Sequence, residues 1–199
     1  SQQAFTVAFK AMYKLPPAEY REMQEFYPLQ LAFTLQESMN NMEFRTSDIC
    51  FATRKDITAW LELVRLVIDG YPHLDERDYI QKLNACIEQK QALIMKNGDT
   101  AIGIMAFSYD TGSIEFFGIH PQYRKSGIAK TFLDKLMVDI LPKREISVTT
   151  FRNGDRADTG HREALQKLGF AEQELLVEFG YPTQRFVLSP HSREGDENE

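Results

Sequence analysis

Arg124-Lys125-Ser126-Gly127, with Lys130 three residues further on, sets three cations and a glycine ahead of an apolar-periodic segment. In that segment Ile128, Phe132, Leu133, Leu136, Met137, Ile140 and Leu141 recur at the spacing of one buried helix face. The basic stretch therefore falls at a helix start, where free N–H groups and the positive end of the macrodipole are exposed. A glycine there lets an anion approach the backbone, and the flanking side chains add charge. The chemistry is that of a phosphate or pyrophosphate seat. A solvated basic loop ahead of a core helix is the plainer alternative. Upstream, Ser113-Ile114-Glu115-Phe116-Phe117-Gly118-Ile119 alternates and is rich in Phe and Ile, as a mostly buried strand is. Pro121 cannot donate to a ladder, so the strand should end at about His120. Glu115 is the acid of this strand and a candidate general base. Simple alternation places it on one face with Ser113, Phe117 and Ile119. The neighbouring phenylalanines should partly desolvate it, which favours proton uptake. A glutamate paired with a lysine or arginine across the strand is the structural alternative.

The order Ile119-x-Pro121-x-Tyr123-Arg124-x-x-Gly127-Ile128-Ala129 resembles motif A of the GNAT superfamily of N-acetyltransferases, Arg/Gln-x-x-Gly-x-Gly/Ala between a strand and a helix. A Walker P-loop, for which Lys130-Thr131 supplies the ending, fails because Arg124 and Ala129 stand where its glycines are needed. The resemblance implies that amides around Arg124, Lys125, Ser126, Gly127, Ile128, Ala129 and Lys130 hold the pyrophosphate of acetyl-CoA. It also implies that the strand at Phe117, Gly118 and Ile119 bonds the pantetheine arm through its backbone. The implied reaction moves an acetyl group from acetyl-CoA to a primary amine directly, in a ternary complex. No acyl-enzyme is implied, since neither cysteine falls in the motif. In many members the base is a glutamate two residues before Glu115, where this chain has Ser113. The tyrosine often found on the late helix is replaced by Leu165, and the usual asparagine before it by Asp158. Tyr181 or Tyr123 could then serve as proton donor, Tyr123 being expected to pack within the motif. A thiolate whose conjugate acid has a pKa near 8.5 can also leave without one.

The chain that positions these residues is 199 residues long, 43% hydrophobic and 26% charged, which is ordinary for a soluble globular protein. It accommodates one domain of about 150 residues with extensions. A net charge of −6 and a pI near 5.3 argue against a sequence-independent nucleic-acid binder. No apolar run approaches the ~20 residues of a membrane span, and no secretory signal is evident at the N-terminus. Cys50 and Cys86 each lie on an otherwise apolar face and read as buried free thiols of a cytoplasmic protein, with a disulfide between them as the alternative. The histidines, His73, His120, His161 and His191, show no metal-ligand spacing, so no metal is expected. His120 reads as an exposed turn residue.

Residues 1–45 read as an N-terminal helical extension. Phe5, Phe9 and Met12 mark a first helix, and Leu31, Leu35, Met39 and Met42 mark a longer one that packs on the domain or on a second copy, a homodimer. Residues 46–189 hold the catalytic unit and 190–199 an acidic, disordered tail. A strand at Ile49 leads to a capping box, Thr53-x-x-Asp56, and two helices separated at Gly70-Tyr71-Pro72. A hairpin around Asn97-Gly98 follows, then the central strand and helix. A strand from Ile146, a polar loop at 152–158, a helix of about Thr159–Leu168 and a hairpin about Gly180-Tyr181-Pro182 complete the chain. The expected class is α/β (α+β): β-α-α-β-β-β-α-β-α-β-β, a mixed, mostly antiparallel twisted sheet flanked by helices, as in the GNAT fold. Leu168-Gly169-Phe170 also resembles the ending of that family's late helix. The acceptor, whether small amine, amino acid, antibiotic or protein, lies beyond the sequence. A silent acyl-CoA binder and an interaction protein working through residues 1–45 are the rival readings.

Overall fold

Strands β2 (Ala92–Asn97) and β3 (Thr100–Phe107) form the centre of the domain, and Ala101–Phe107 is buried on both faces. The computed structural model describes residues 2–13, 16–22, 43–67, 75–156, 158–178 and 180–190. The N-terminal helices are α1 (Gln2–Tyr13) and α2 (Pro17–Glu22). The domain opens with β1 (Ile49–Phe51), α3 (Ile57–Val67) and α4 (Glu76–Glu88). After β2 and β3 come β4 (Ile114–Ile119), α5 (Ile128–Asp134), β5 (Ile146–Phe151), α6 (His161–Lys167), β6 (Ala171–Glu178) and β7 (Tyr181–Leu188). From β1 onward this is the expected order. The second N-terminal helix, the break at Gly70-Tyr71-Pro72 and all of the acidic tail but Pro190 lie outside the described residues.

Two antiparallel sheets result, ordered β1-β2-β3-β4 and β5-β7-β6. Alternation along the central strands sends Leu93, Met95 and Met105 toward α5, where Ile128, Phe132, Leu133 and Leu136 meet them. Ala92, Ile94 and Ile104 face α3 and α4, packing with Trp60, Val64 and Leu83. Burial on both sides explains why these strands read as nearly continuous apolar runs. The helices start where their caps stand. Thr53 and Asp56 form the expected capping box ahead of α3, and the Asp75 carboxylate accepts from the N–H groups of Arg77 and Asp78 ahead of α4. Trp60 Nε1 donates to the Tyr79 hydroxyl at 2.9 Å and fastens α3 to α4.

Some expectations shift. The central helix is α-helical only to Asp134 and continues as a π-helix over Lys135–Ile140. Its wider turn brings Leu136 and Leu141, five residues apart, into one core. The β2–β3 turn centres on Gly98-Asp99, one residue later than expected, with Gly98 at φ +61. Tyr181 and Pro182 belong to β7, since Glu178 already pairs with Tyr181. Cys50 is exposed because β1 is a three-residue edge strand covered on one side only; Cys86 is half-buried.

Among the described residues, backbone pairing joins the two sheets at one parallel bridge, Ser113 with Ser147. Ser147 N–H donates to the Gly112 carbonyl at 3.1 Å. Gly112 has φ +70, and a Cβ there would lie 2.4 Å from the Glu145 carbonyl oxygen. Only glycine allows so close a junction.

Candidate active site

The strand β4 carries a bulge at Glu115. Phe116 pairs with Ala106 and Ile114 with Phe107, so Glu115 is the extra residue with no partner on β3. The bulge resets the alternation. Ile114, Phe117 and Ile119 pack toward α5, whereas Phe116 packs toward α3 and α4. Glu115 stands close enough to Cys86 on α4 that its charge, after burial, helps push that thiol's pKa up. The expected face shared by Glu115, Phe117 and Ile119 is therefore not formed, because simple alternation ignores the inserted residue. Nor is Glu115 desolvated by the phenylalanines: its side chain is exposed. Ser113 does face the same way, its Oγ donating to Glu115 Oε1.

Past the Ser113–Ser147 bridge, β4 and β5 have no further pairing among the described residues. His120 N–H donates to the Ile102 carbonyl at 3.0 Å. Antiparallel alternation then assigns Gly118 and Phe116 to bonds with β3, and turns the N–H and C=O of Phe117 and Ile119 toward the gap. From the other side Ser147 N–H also points to β4, so Thr149 and Phe151 share that orientation. The gap presents an open strand edge on which an extended amide-bearing ligand can form ladder bonds.

At the end of β4 a short 3-10 turn, Pro121–Tyr123, leads into the basic loop. Tyr123 is buried beneath it, its hydroxyl accepting from Asn97 Nδ2 at 3.0 Å and its ring edge-on to Phe44 and His120. This is the packing expected of Tyr123. His120 is half-buried, not exposed. Its pKa lies below the ordinary histidine value, through burial first and then the nearby Arg124 charge. Ser126 turns inward, both its N–H and its Oγ donating to the Tyr123 carbonyl, at 3.1 and 2.6 Å. Gly127 caps α5 at φ +79, and a Cβ added there would meet no atom within 4 Å. The first helical bond runs from Thr131 N–H to the Gly127 carbonyl at 3.1 Å, so the N–H groups of Ile128, Ala129 and Lys130 precede the ladder. Ile128 is fully buried and anchors the turn, while Arg124, Lys125 and Lys130 are exposed. Lys130 shares its charge with Asp134 at 3.1 Å. The geometry fits a pyrophosphate: outward amides, an open glycine and two cations, Arg124 and Lys125, with no acidic partner among the described residues.

Tyr181 stands elsewhere. It lies two residues beyond the Phe151–Thr183 pair, which places it about 20 Å along the strand from the Ser147 bridge at ~3.3 Å per residue. Its hydroxyl donates to Asp155 Oδ2 at 2.5 Å, and that bond raises its pKa. The structure does not bring it to Glu115. Leu165 is half-buried and packs against the core. Asp158 Oδ1 accepts from Gly160 N–H (3.0 Å) and His161 N–H (2.8 Å), so it caps α6. One residue was missed altogether. Arg162 of α6 is buried, donates to the Phe151 carbonyl at 3.0 Å and to Glu172, and lies 5.1 Å over the Phe186 ring. It holds the end of β5 at the rim of the gap. A lone arginine on a polar helix gives no sequence signal for this.

A bulged strand with an open edge thus runs into a glycine-led basic loop, an arrangement suited to an acyl-transferring enzyme. The profile of the acetyltransferase (GNAT) family matches residues 54–170, and the chain belongs to that family. Its fold is similar to that of an acetyltransferase of the GNAT family from Bacillus cereus, at 16% identity and a TM-score of 0.54, covering 71% of this chain and 95% of that one. A GNAT-family acetyltransferase from Streptococcus agalactiae aligns at 14% identity and a TM-score of 0.51, over 71% of this chain and 94% of that one. Ard1 from Thermoplasma volcanium aligns at 14% and 0.51, over 71% and 95%. No curated protein matches the chain. Among the described residues, no group of three or more His, Cys, Asp or Glu is placed to hold a metal ion. No helix among them is long and apolar enough to cross a membrane.

Proposed function

We propose that this enzyme transfers the acetyl group of acetyl-CoA to a primary amine by direct attack within a ternary complex. The observation that carries the reading is the open edge of β4, which joins the Gly127 loop at one end to the bulged Glu115 at the other. The pyrophosphate sits on the N–H groups of Gly127 to Lys130, with Arg124 and Lys125 supplying charge. The pantetheine amides bond to the backbone of Phe117 and Ile119. Glu115 lies four steps along the strand from Ile119, about 13 Å at ~3.3 Å each, and the thioester reaches the bulge over that span. Glu115 removes a proton from the incoming ammonium, the neutral amine attacks the carbonyl carbon, and the thiolate leaves. Tyr181 is engaged with Asp155 and takes no part in that departure.

In this reading the catalytic unit is residues 46–189. Residues 1–45 form the extension, and Phe44 near its end packs edge-on to Tyr123 beneath the anion loop. The two free thiols suit a reducing compartment such as the cytosol.

One rival has an observation behind it: half-buried Leu165 packs against the core where a proton-donating tyrosine is usual, which suits a silent acyl-CoA binder. Calorimetry with CoA and thiol release from acetyl-CoA separate the two. The amine panel is spermidine, free lysine, kanamycin, a lysine-containing peptide and a peptide with a free N-terminus. The proposal expects CoA binding and amine-stimulated release with at least one of them. Binding without release favours the silent binder, and no binding removes both.

A further inference from the structure

Glu115 is not an isolated carboxylate but the end of a hydroxyl chain. Ser113 Oγ donates to Glu115 Oε1. Ser113 Oγ also lies 2.6 Å from Thr111 Oγ1. A serine hydroxyl has one proton to give. With that proton on Glu115, the Thr111 hydroxyl must be the donor in the second bond. The polarity is reinforced by Ser113 N–H, which donates to Thr111 Oγ1 at 3.3 Å and leaves that oxygen's own hydrogen for Ser113. Thr111 is held in its turn by its N–H bond to Ser108 Oγ at 3.3 Å, and its side chain is exposed. The chain thus runs from the surface turn before β4, through Ser113 at the bridge to β5, to the bulge.

We propose that Thr111 and Ser113 form a proton relay that carries the proton taken up by Glu115 to solvent, on the side of the sheet junction. This rests on Glu115 acting as the base. The overall reaction, R–NH3+ with CoA–S–COCH3 giving R–NH–COCH3, CoA–SH and H+, leaves one proton to be discharged per turnover. Of the two protons the nitrogen loses, one ends on the departing thiolate and the other on Glu115. Recovery of the carboxylate then breaks three O–H bonds and forms three. The Glu115 proton passes to Ser113 Oγ, the Ser113 hydroxyl proton to Thr111 Oγ1, and the Thr111 hydroxyl proton to water. Both hydroxyls turn outward once Glu115 is protonated, before the transfer, and the transfer itself returns them to their starting polarity. Glu115 is exposed in the free chain, so the relay serves while the bound acceptor covers that carboxylate, and it needs no opening of the gap that holds the acyl donor. Ser113 and Thr111 are relay and positioning residues; only Glu115 meets the amine.

The test compares Thr111→Val, which keeps the shape and removes the hydroxyl, with Ser113→Ala, Thr111→Ser and Glu115→Gln. The assay uses acetyl-CoA and whichever panel amine turns over. The relay predicts that Thr111→Val lowers kcat roughly tenfold or less, a small part of the 10²–10⁴ that base catalysis supplies, with KM for the amine unchanged. It also predicts a solvent-isotope proton inventory that is curved in the parent enzyme and linear in Thr111→Val, with Thr111→Ser restoring both. The acceptor-free protein gives a second readout. The Glu115 carboxylate stretch, identified by infrared difference against Glu115→Gln, should shift in Ser113→Ala and by a smaller step in Thr111→Val. Unchanged kcat and inventory in both hydroxyl variants, or an unmoved stretch, overturns the relay. If Glu115→Gln still loses activity in that case, the base stands and only the relay falls. If Glu115→Gln is as fast as the parent, the base assignment falls and takes the relay with it.

Discussion

Two residues carry the chemistry proposed here, and each can be removed separately. Glu115→Gln keeps the shape of the bulge and loses the proton acceptor. We expect CoA affinity to hold and kcat/KM to fall about 10²-fold, as is usual when a general base is lost. The deficit should be largest below neutral pH and shrink as pH approaches the acceptor amine's own pKa, where fewer ammonium groups need deprotonating. A pH–rate profile of both proteins with one amine checks this, and parallel profiles at equal rates would return Glu115 to a structural role. At the other end of β4, Gly127 has open space where a Cβ would stand and a φ of +79. Gly127→Glu brings bulk, backbone strain and negative charge to the proposed pyrophosphate seat. CoA binding should weaken at least tenfold, about 1.4 kcal/mol, by calorimetry; unchanged affinity in a folded variant would move the seat elsewhere.

At the scale of elements, an ion pair between buried Asp56 and exposed Lys96 ties the sheet beneath the site to α3. Asp56 bridges the start of α3 to Lys96 of β2, its Oδ1 2.5 Å from the lysine Nζ and its Oδ2 2.7 Å from the Thr53 hydroxyl. Burial alone would raise the Asp56 pKa, but the bonds from Lys96 and Thr53 outweigh it and hold the carboxyl below its ordinary 3.8. A depressed folded value means the stabilisation is fully present above about pH 4 and lost as pH falls through the folded value. Asp56→Ala should therefore cost about 1–2 kcal/mol at pH 7, the worth of a lost cap, and less at pH 3. Urea denaturation at the two pH values measures it; an equal cost at both would contradict the linkage. The elements themselves were legible where local chemistry decides them. The capping box at Thr53, the stop at Pro121 and the Gly127 turn all stand as read. The bulge at Glu115 was not, because register is a property of β3 and β4 together, and neither strand's sequence shows the extra residue. The π-turn leaves a trace only in retrospect, in the five-residue step from Leu136 to Leu141. Cys50 was misplaced because an apolar stretch does not say that its strand lies at a sheet edge.

For the whole molecule, the glycine turn into α5 was readable from residue order and the fold class from the family resemblance, but the relation between the two sheets was not. The junction at Gly112 and the buried Arg162 arise from contacts between distant segments, and they set the gap between β4 and β5. The central claim is that acetyl-CoA lies in that gap along β4. Backbone amide exchange, followed residue by residue by NMR with and without CoA, tests it most directly. Phe117 and Ile119, whose N–H groups face the gap, should gain protection together with Gly127, Ile128 and Ala129. Phe116 and Gly118, already bonded to β3, should change little. Protection that ignores this alternation, or that appears away from β4 and the loop, would contradict the account.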